Sequence, residues 1–487
     1  MSGHERRGQS DNVAVTNDAF GQMFLVIFGL CCSAITDGFI FGQMSGMIDS
    51  LHHDKELMGL SEDDLSWIAS LLNITCFCGI AIVGILVETL GRKRTLSAVT
   101  SPIILYWLIV SYGQNKFTLL SSRILIGFFY GGILLLIHIS IGEYMPPVLR
   151  PILSNIISCI GISTGTLIGH ILSILLNWRT VALIGILPTT LSAILPFFWV
   201  ESPSWLASKG LYEECENSFK TLYKKNNVSQ EVKMLVNTEK QKQKGPNRTS
   251  EYLKNIKMAC RQKYFWEVMF LGIVTNLYRV ASGRILFGTL AITILKEITK
   301  STDILYFTFF VDGFVIIGYL ISCALLCKFK MKTLLLTLGV VANLFLISLA
   351  SVLYGFSASN VYMAWIKVFL LALYFTSVSA GPLPVLETIL TEIFPLKIKA
   401  FCITIQGFIC GIFQFLSVKM SPSMFLEIGY HGVFITHSLV MFLCLIYLWK
   451  FLPETNKRTL QEIEMYFKKK EYPNNSDNLR DFQTEIT

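Results

Sequence analysis

The sequence predicts an all-α membrane protein of twelve transmembrane helices arranged as two six-helix halves. Three observations carry this reading. The 487 residues are 53% apolar and only 15% charged, against about 25% charged in soluble domains. Long apolar runs alternate with short polar connections, a pattern made for a bilayer rather than a watery surface. Finally, the same acid–proline–base signal closes the fourth apolar run of each half.

A hydrocarbon core about 30 Å thick needs roughly 20 apolar residues per helix. Such runs fall at about 22–43, 66–87, 95–112, 118–141, 153–176 and 180–200, and again at about 265–290, 304–327, 333–354, 361–388, 401–419 and 432–452. The chain therefore divides into residues 1–200 with six spans, a linker 201–264, residues 265–452 with six more, and a tail 453–487. The first run is too long for a signal-peptide core and reads as a retained span.

Lysine and arginine set the orientation. Arg92, Lys93 and Arg94 follow span 2, and Arg150 follows span 4. The linker holds thirteen basic residues against seven acids. Lys328, Lys330 and Lys332 follow span 8, and Lys397 and Lys399 follow span 10. The first connection instead carries Asp49, Asp54, Glu56, Glu62, Asp63 and Asp64 against Lys55. Even-numbered connections and both termini are thus expected in the cytoplasm. The net charge of +8 is spent between spans and forms no continuous basic face for nucleic acid.

The sequons at Asn227, Asn247 and Asn474 lie on the cytoplasmic side and are expected to stay unmodified. Leu211, Cys215, Phe219 and Leu222 recur at helical spacing, so the linker should hold short amphipathic helices, broken at Gly245-Pro246. The twelve cysteines show no metal-ligand spacing and read as small apolar helix residues. No nucleophile–base or metal constellation suggests an enzyme, a cofactor or a metal.

The repeated signals are Glu143-Tyr-Met-Pro146-Pro-Val-Leu-Arg150 after span 4 and Glu392-Ile-Phe-Pro395-Leu-Lys-Ile-Lys399 after span 10. Glu201-Ser-Pro follows span 6, and Pro453-Glu454-Thr455 follows span 12. Matching signals at matching places indicate parallel repeats. Together with Glu88-Thr-Leu-Gly91-Arg92-Lys93-Arg94, Arg123 with Gly127, Glu201-Ser-Pro-Ser-Trp205-Leu206, Gly381-Pro-Leu-Pro384 and Pro453-Glu-Thr-Asn-Lys-Arg-Thr-Leu460, they resemble the sugar porter branch of the major facilitator superfamily. Leu65-Ser-Trp67-Ile68 and Trp178-Arg179 look like the insect facilitated trehalose and sugar transporter-like members. The resemblance runs from about Phe20 to Phe467.

That resemblance implies alternating access, with a gate formed by Glu88, Gly91, Arg92, Arg123, Glu143, Arg150 and Glu201, and by Glu392, Lys399 and Glu454 in the second half. Glu88, Arg92, Arg123, Glu143 and Arg150 are expected to gather on the cytoplasmic side. The second half is degraded, because Cys327 and Lys330 stand where the acid and glycine would be.

The resemblance also implies a central cavity involving His170 in span 5, Arg279, Ser282 and Gly283 in span 7, Asp312 in span 8, Gly381, Pro382 and Pro384 in span 10, and Gln414 in span 11. Here the chain departs from the family. Arg279-Val-Ala-Ser282-Gly283-Arg284-Ile285 replaces the family's Gln-Gln-Leu-Ser-Gly-Ile-Asn, Val385 replaces a tryptophan, His170 a glutamine, and Cys410 an asparagine with Gln406 and Gln414 nearby. Each sugar hydroxyl left without its partner loses about 1–3 kcal/mol, so three losses weaken binding roughly a hundredfold or more. Another polyol, a disaccharide or a charged solute stays open as substrate.

Proton-driven members carry an acid where this chain has Met44, which favours facilitated diffusion, although Asp37 lies seven residues earlier on the same helical face. Arg279 and Arg284 are five residues apart, about 500° around a helix, and cannot share one face. Arg279 is the one expected in the cavity, its charge compensated by Asp312 or by a substrate anion. Arg284 and Glu387 can snorkel to an interface. The expected protein is a monomeric, multi-pass plasma-membrane carrier of a sugar or polyol, with the bilayer as its other partner; the alternatives are a carrier of a charged organic solute and a non-transporting sensor.

Overall fold

The computed structural model describes residues 4–51, 60–146, 149–223, 248–355, 361–395, 398–455, 458 and 460–469. Every regular element among them is helical. The sequon residues Asn227, Asn247 and Asn474, the Gly245-Pro246 break, Lys397 and the tail beyond 469 lie outside the described residues.

Among the described residues, eleven helices are long and apolar enough to cross a membrane. Spans 1–6 are Gly21–Leu51, Glu62–Leu90, Arg92–Tyr112, Lys116–Tyr144, Ile152–Leu175 and Trp178–Phe198, and spans 7–10 are Lys263–Thr299, Leu305–Lys328, Met331–Gly355 and Val361–Glu392. The eleventh, Lys399–Phe451, has 53 residues. At 1.5 Å per residue it is about 80 Å long, more than twice the hydrocarbon thickness. Gly429, at φ 70° and ψ 171°, breaks its helical path, so it supplies spans 11 and 12. The total is the expected twelve.

Two spans run further than their apolar runs suggested. Span 1 continues past Asp49, and span 7 past Lys296 and Glu297. Charge stops a hydropathy run without stopping a helix, and Lys296 Nζ meets Asp49 Oδ2 at 2.7 Å, so each of the two charges has a partner.

Local chemistry fixes the helix starts. Ser61 and Asp64 form a reciprocal capping box ahead of span 2. The Asn177 side chain accepts from the Arg179 N–H at the start of span 6. In the linker, helix Tyr212–Tyr223 buries Cys215 and Leu222, as its spacing predicted, and Leu206, Ala207 and Cys215 form a small core there. Burial, and then the nearby Glu216 carboxylate, push the Cys215 thiol up from its ordinary range.

The chain forms two compact units. The first contains residues 1–245 together with 286–297 and 301–313; the second contains 246–285, 298–300 and 314–487. Within the first, small residues let backbones touch, as membrane packing favours. A Cβ on Gly38 would strike the Ile162 carbonyl across spans 1 and 5, and one on Gly79 the Phe128 carbonyl across spans 2 and 4. Polar ties complete this unit: Ser33 and Ser192 hydroxyls meet at 2.6 Å, and Trp107 Nε1 donates to Thr189 Oγ1 at 2.9 Å. Within the second unit, a Cβ on Gly339 would press on Leu445, and one on Gly381 on Leu338.

Candidate functional site: two repeated charge clusters and a broken seventh span

In the first unit the connection between spans 2 and 3 is held by three acids. Gly91 has φ 89°, a conformation suited to glycine, and a Cβ there would meet the Glu201 carboxylate. Glu201 Oε1 accepts from the backbone N–H of Arg92 at 2.9 Å and of Lys93 at 3.4 Å, placing a negative charge at the start of the span 3 helix. Arg92, 7% exposed, donates to Glu143 at 2.6 Å, to Glu88 at 3.3 Å and to the Val87 carbonyl at 3.2 Å. The Ser202 hydroxyl donates to the other Glu143 oxygen at 2.5 Å. Glu88, Gly91, Arg92, Glu143 and Glu201 are thus one cluster.

Two expected members lie elsewhere. Arg150 donates Nε to the Met145 carbonyl at 2.9 Å, closing the turn after span 4. Arg123 sits near the beginning of span 4, at the opposite end of that helix from Glu143. It is fully buried, donating to Tyr106 Oη at 2.6 Å and Met47 Sδ at 3.1 Å, with its guanidinium 5.5 Å from the Tyr106 ring centre. The expectation that it gathers with Glu88, Arg92 and Glu143 is corrected: Arg123 comes early in span 4 and Glu143 at its end, about 30 Å apart along the helix.

The second unit repeats this cluster in part. Glu454 accepts from the backbone N–H of Met331 at 3.1 Å and of Lys332 at 3.2 Å, as Glu201 does for span 3. Glu392 faces Thr455 and Lys399, as Glu143 faces Ser202. The place of Arg92, however, is taken by Met331, and Glu392 Oε2 is buried with no hydrogen-bond partner among the described residues. The motif repeat is therefore real in geometry, with its arginine lost.

The residues expected in the cavity fall in both units. In the first, His170 and Asp312 form a buried pair, Nδ1 to Oδ2 at 2.7 Å, with side chains 0% and 1% exposed. His170 Nε2 lies 2.9 Å from the Gly288 carbonyl oxygen. Asp37 is also fully buried, with neither carboxyl oxygen hydrogen-bonded among the described residues.

In the second unit, span 7 breaks after Ala281. Gly283 takes the left-handed region at φ 67°, and the helix restarts at Arg284. The carbonyls released by the break are satisfied by side chains: Tyr374 Oη donates to Ser282 O and His437 Nδ1 to Ala281 O, both at 2.7 Å. Ser282 Oγ turns back to the Arg279 carbonyl at 2.6 Å. Arg279 Nη2 meets Glu387 Oε1 at 3.2 Å, and Nη1 reaches Asn276 at 3.4 Å. Asn276 in turn donates to Gln406 Oε1 at 3.0 Å. The proposed Arg279–Asp312 pair is not formed: Asp312 holds His170, and Arg279 holds Glu387. Span 10 breaks at Gly381, and Pro382 and Pro384 start its second helix, both buried. Gln414 reaches only Cys410 of its own helix, at 3.5 Å.

Tyr374, His437 and Asn276 were missed by sequence reasoning. A lone histidine or tyrosine in an apolar run carries no spacing signal until the break it caps is known.

Known proteins share the family and the fold of this chain. A model of the family described as sugar (and other) transporter matches residues 22–467. The chain is 26% identical over 463 residues to the sugar transporter ERD6-like 6 of Arabidopsis thaliana, covering 93% of this chain and 92% of that one. It is 25% identical over 414 residues to the facilitated trehalose transporter Tret1 of Polypedilum vanderplanki, covering 83% and 80%. Its fold is similar to the major facilitator superfamily proton:xylose symporter XylE, with TM-score 0.74, 19% identity, and 92% of this chain and 100% of that chain covered. The protein is a multi-pass membrane carrier rather than an enzyme, with the major facilitator fold, and it belongs to the sugar (and other) transporter family.

Proposed function

We propose that this protein carries a neutral, hydroxyl-rich solute, a sugar or a related polyol, across a membrane by alternating access. The observation that carries this reading is the Arg279–Glu387 pair. Arg279 stands where the family presents an uncharged hydrogen-bonding side chain, and an unpartnered arginine there would call for an anionic substrate. Glu387 cancels its charge within the protein, so a neutral solute meets a neutral wall. Asn276 and Gln406 keep amide groups beside the pair. The relatives described as a sugar transporter and as a facilitated trehalose transporter support the substrate class.

In this reading the Arg92–Glu143–Glu201 cluster works as part of the cytoplasmic gate, and both termini lie in the cytoplasm of a plasma-membrane monomer. The basic bias of the even-numbered connections supports that orientation. A tag near Gly59 should label from outside intact cells and one near Gly245 should not; labelling at Gly245 would reverse the topology. Both positions lie outside the described residues.

Substrate class is tested by counterflow in proteoliposomes loaded with glucose, xylose, trehalose, a linear polyol or an organic anion. Accumulation of at least one neutral solute, competed by its unlabelled form, is expected. Accumulation of the anion alone would overturn the reading.

A further inference from the structure

The His170–Asp312 pair carries more than packing, because its hydrogen bonds fix its proton count. His170 Nε2 is 2.9 Å from the Gly288 carbonyl oxygen, which can only accept, so Nε2 bears a hydrogen. His170 Nδ1 and Asp312 Oδ2 are 2.7 Å apart. With Nε2 protonated, a neutral ring presents a lone pair at Nδ1, and a carboxylate presents another at Oδ2. The contact closes only with one proton between them. Imidazolium with carboxylate and imidazole with carboxylic acid are equivalent here: the closed pair holds two protons and no net charge.

No other group replaces that proton. Both side chains are buried, and Asp312 Oδ1 has no hydrogen-bond partner among the described residues. The Phe287 ring lies edge-on to the imidazole at 6.3 Å between centroids. Within the first unit, the other charged side chains on span 1 and on residues 286–297 and 301–313 are Asp37, Asp49, Lys296, Glu297 and Asp303. Asp49 and Lys296 pair with each other at 2.7 Å.

The location gives the proton a task. Residues 286–297 and 301–313 belong to the first unit, whereas the chain on either side of them belongs to the second. The pair and the Gly288 contact fasten this segment to span 5. His170 is five residues before the end of span 5 at Leu175, and Asp312 is seven after the start of span 8 at Leu305. Both are therefore within about 10 Å of the same helix ends.

We infer that His170 and Asp312 form a proton-binding site that latches residues 286–297 and 301–313 to span 5 and exchanges its proton with the solution at the face where span 5 ends. Opened, the pair no longer needs the shared proton, so opening at alkaline pH releases it, and this linkage of one proton raises the open-to-closed ratio with pH by up to about tenfold per unit. Protons on that face thus hold the carrier closed there, with no requirement that they cross the membrane with the solute.

The inference rests on the carrier reading for its purpose, but its test needs no substrate. Spin labels at Leu176 and Thr302, in the full chain cleared of accessible cysteines and reconstituted in lipid, report the latch by electron–electron double resonance. The long-distance population should grow relative to the short one by up to about tenfold per pH unit from pH 7 to 8.5. Asp312→Asn should stay closed from pH 7 to 8.5, because its amide donates to Nδ1 without an added proton. His170→Gln with Asp312→Asn, which removes both titrating groups, should show a ratio that does not change with pH. A wild-type ratio equal at pH 6.5 and 8.5, or an Asp312→Asn protein that keeps the pH dependence, would overturn the latch. Failure of sugar counterflow with a pH-dependent distance would instead overturn only the substrate reading.

Discussion

Arg92 Nη2 lies 2.6 Å from Glu143 Oε1 and joins the start of span 3 to the end of span 4, while Arg150, seven residues beyond Glu143, turns away to the Met145 carbonyl. A charge-assisted hydrogen bond on a mostly buried arginine is worth about 1.5–3 kcal/mol. Glu143→Gln should therefore cut counterflow at least fivefold while surface expression changes little. Arg150→Ala should do less, since it loses only a turn contact. Equal effects of the two variants, or wild-type transport in Glu143→Gln, would remove Arg92–Glu143 from the gate.

The second unit offers the reverse experiment. Glu392 Oε2 lacks a hydrogen-bond partner among the described residues, and Met331 stands where the first unit has Arg92. Met331→Arg should supply the missing donor and stabilise the detergent-solubilised protein by about 1 kcal/mol, a rise of a few degrees in its thermal midpoint. An unchanged or lower midpoint would mean that the two clusters are not equivalent in space.

Arg279 and Glu387 are about one-third exposed, so solvent screens their pairing and its contribution to stability is modest. The functional effect should be larger. Arg279→Gln removes the cation that faces Glu387 and should lower neutral-solute uptake several-fold, and Glu387→Gln should do the same by removing the carboxylate that faces Arg279. The double variant should recover most of the activity, because it restores neutrality. If the double variant is no better than either single one, charge balance is not what the pair provides.

Close backbone packing gives a stability test. Gly79→Ala would drive a Cβ into the Phe128 carbonyl, a backbone atom that cannot move aside cheaply. It should sharply reduce the folded, monodisperse fraction by size-exclusion chromatography. Gly84→Ala, on the same helix with its nearest neighbour a Leu135 methyl at 3.8 Å, should behave as wild type. Matching losses at the two positions would argue against close span 2–span 4 packing.

By itself the sequence determined what depends on local composition and order. Apolar run length set the number of crossings, because a bilayer admits only helices of sufficient length. Repeated acids placed Glu201 and Glu454 in equivalent roles, and the structure gives each the first two backbone N–H groups of the third helix of its half. Only the tertiary structure decided the pairings. Periodicity states which face a charge occupies but not which distant side chain meets it. For that reason the sequence leaves Asp312 or a substrate anion as the partner of Arg279, whereas packing brings Glu387 to Arg279 and His170 of span 5 to Asp312. The same limit hid Tyr374 and His437, whose partners are carbonyls released by a helix break. It also misplaced Arg123, since a motif gives order along the chain, while the direction of span 4 decides which end of the helix, and which neighbours, it meets.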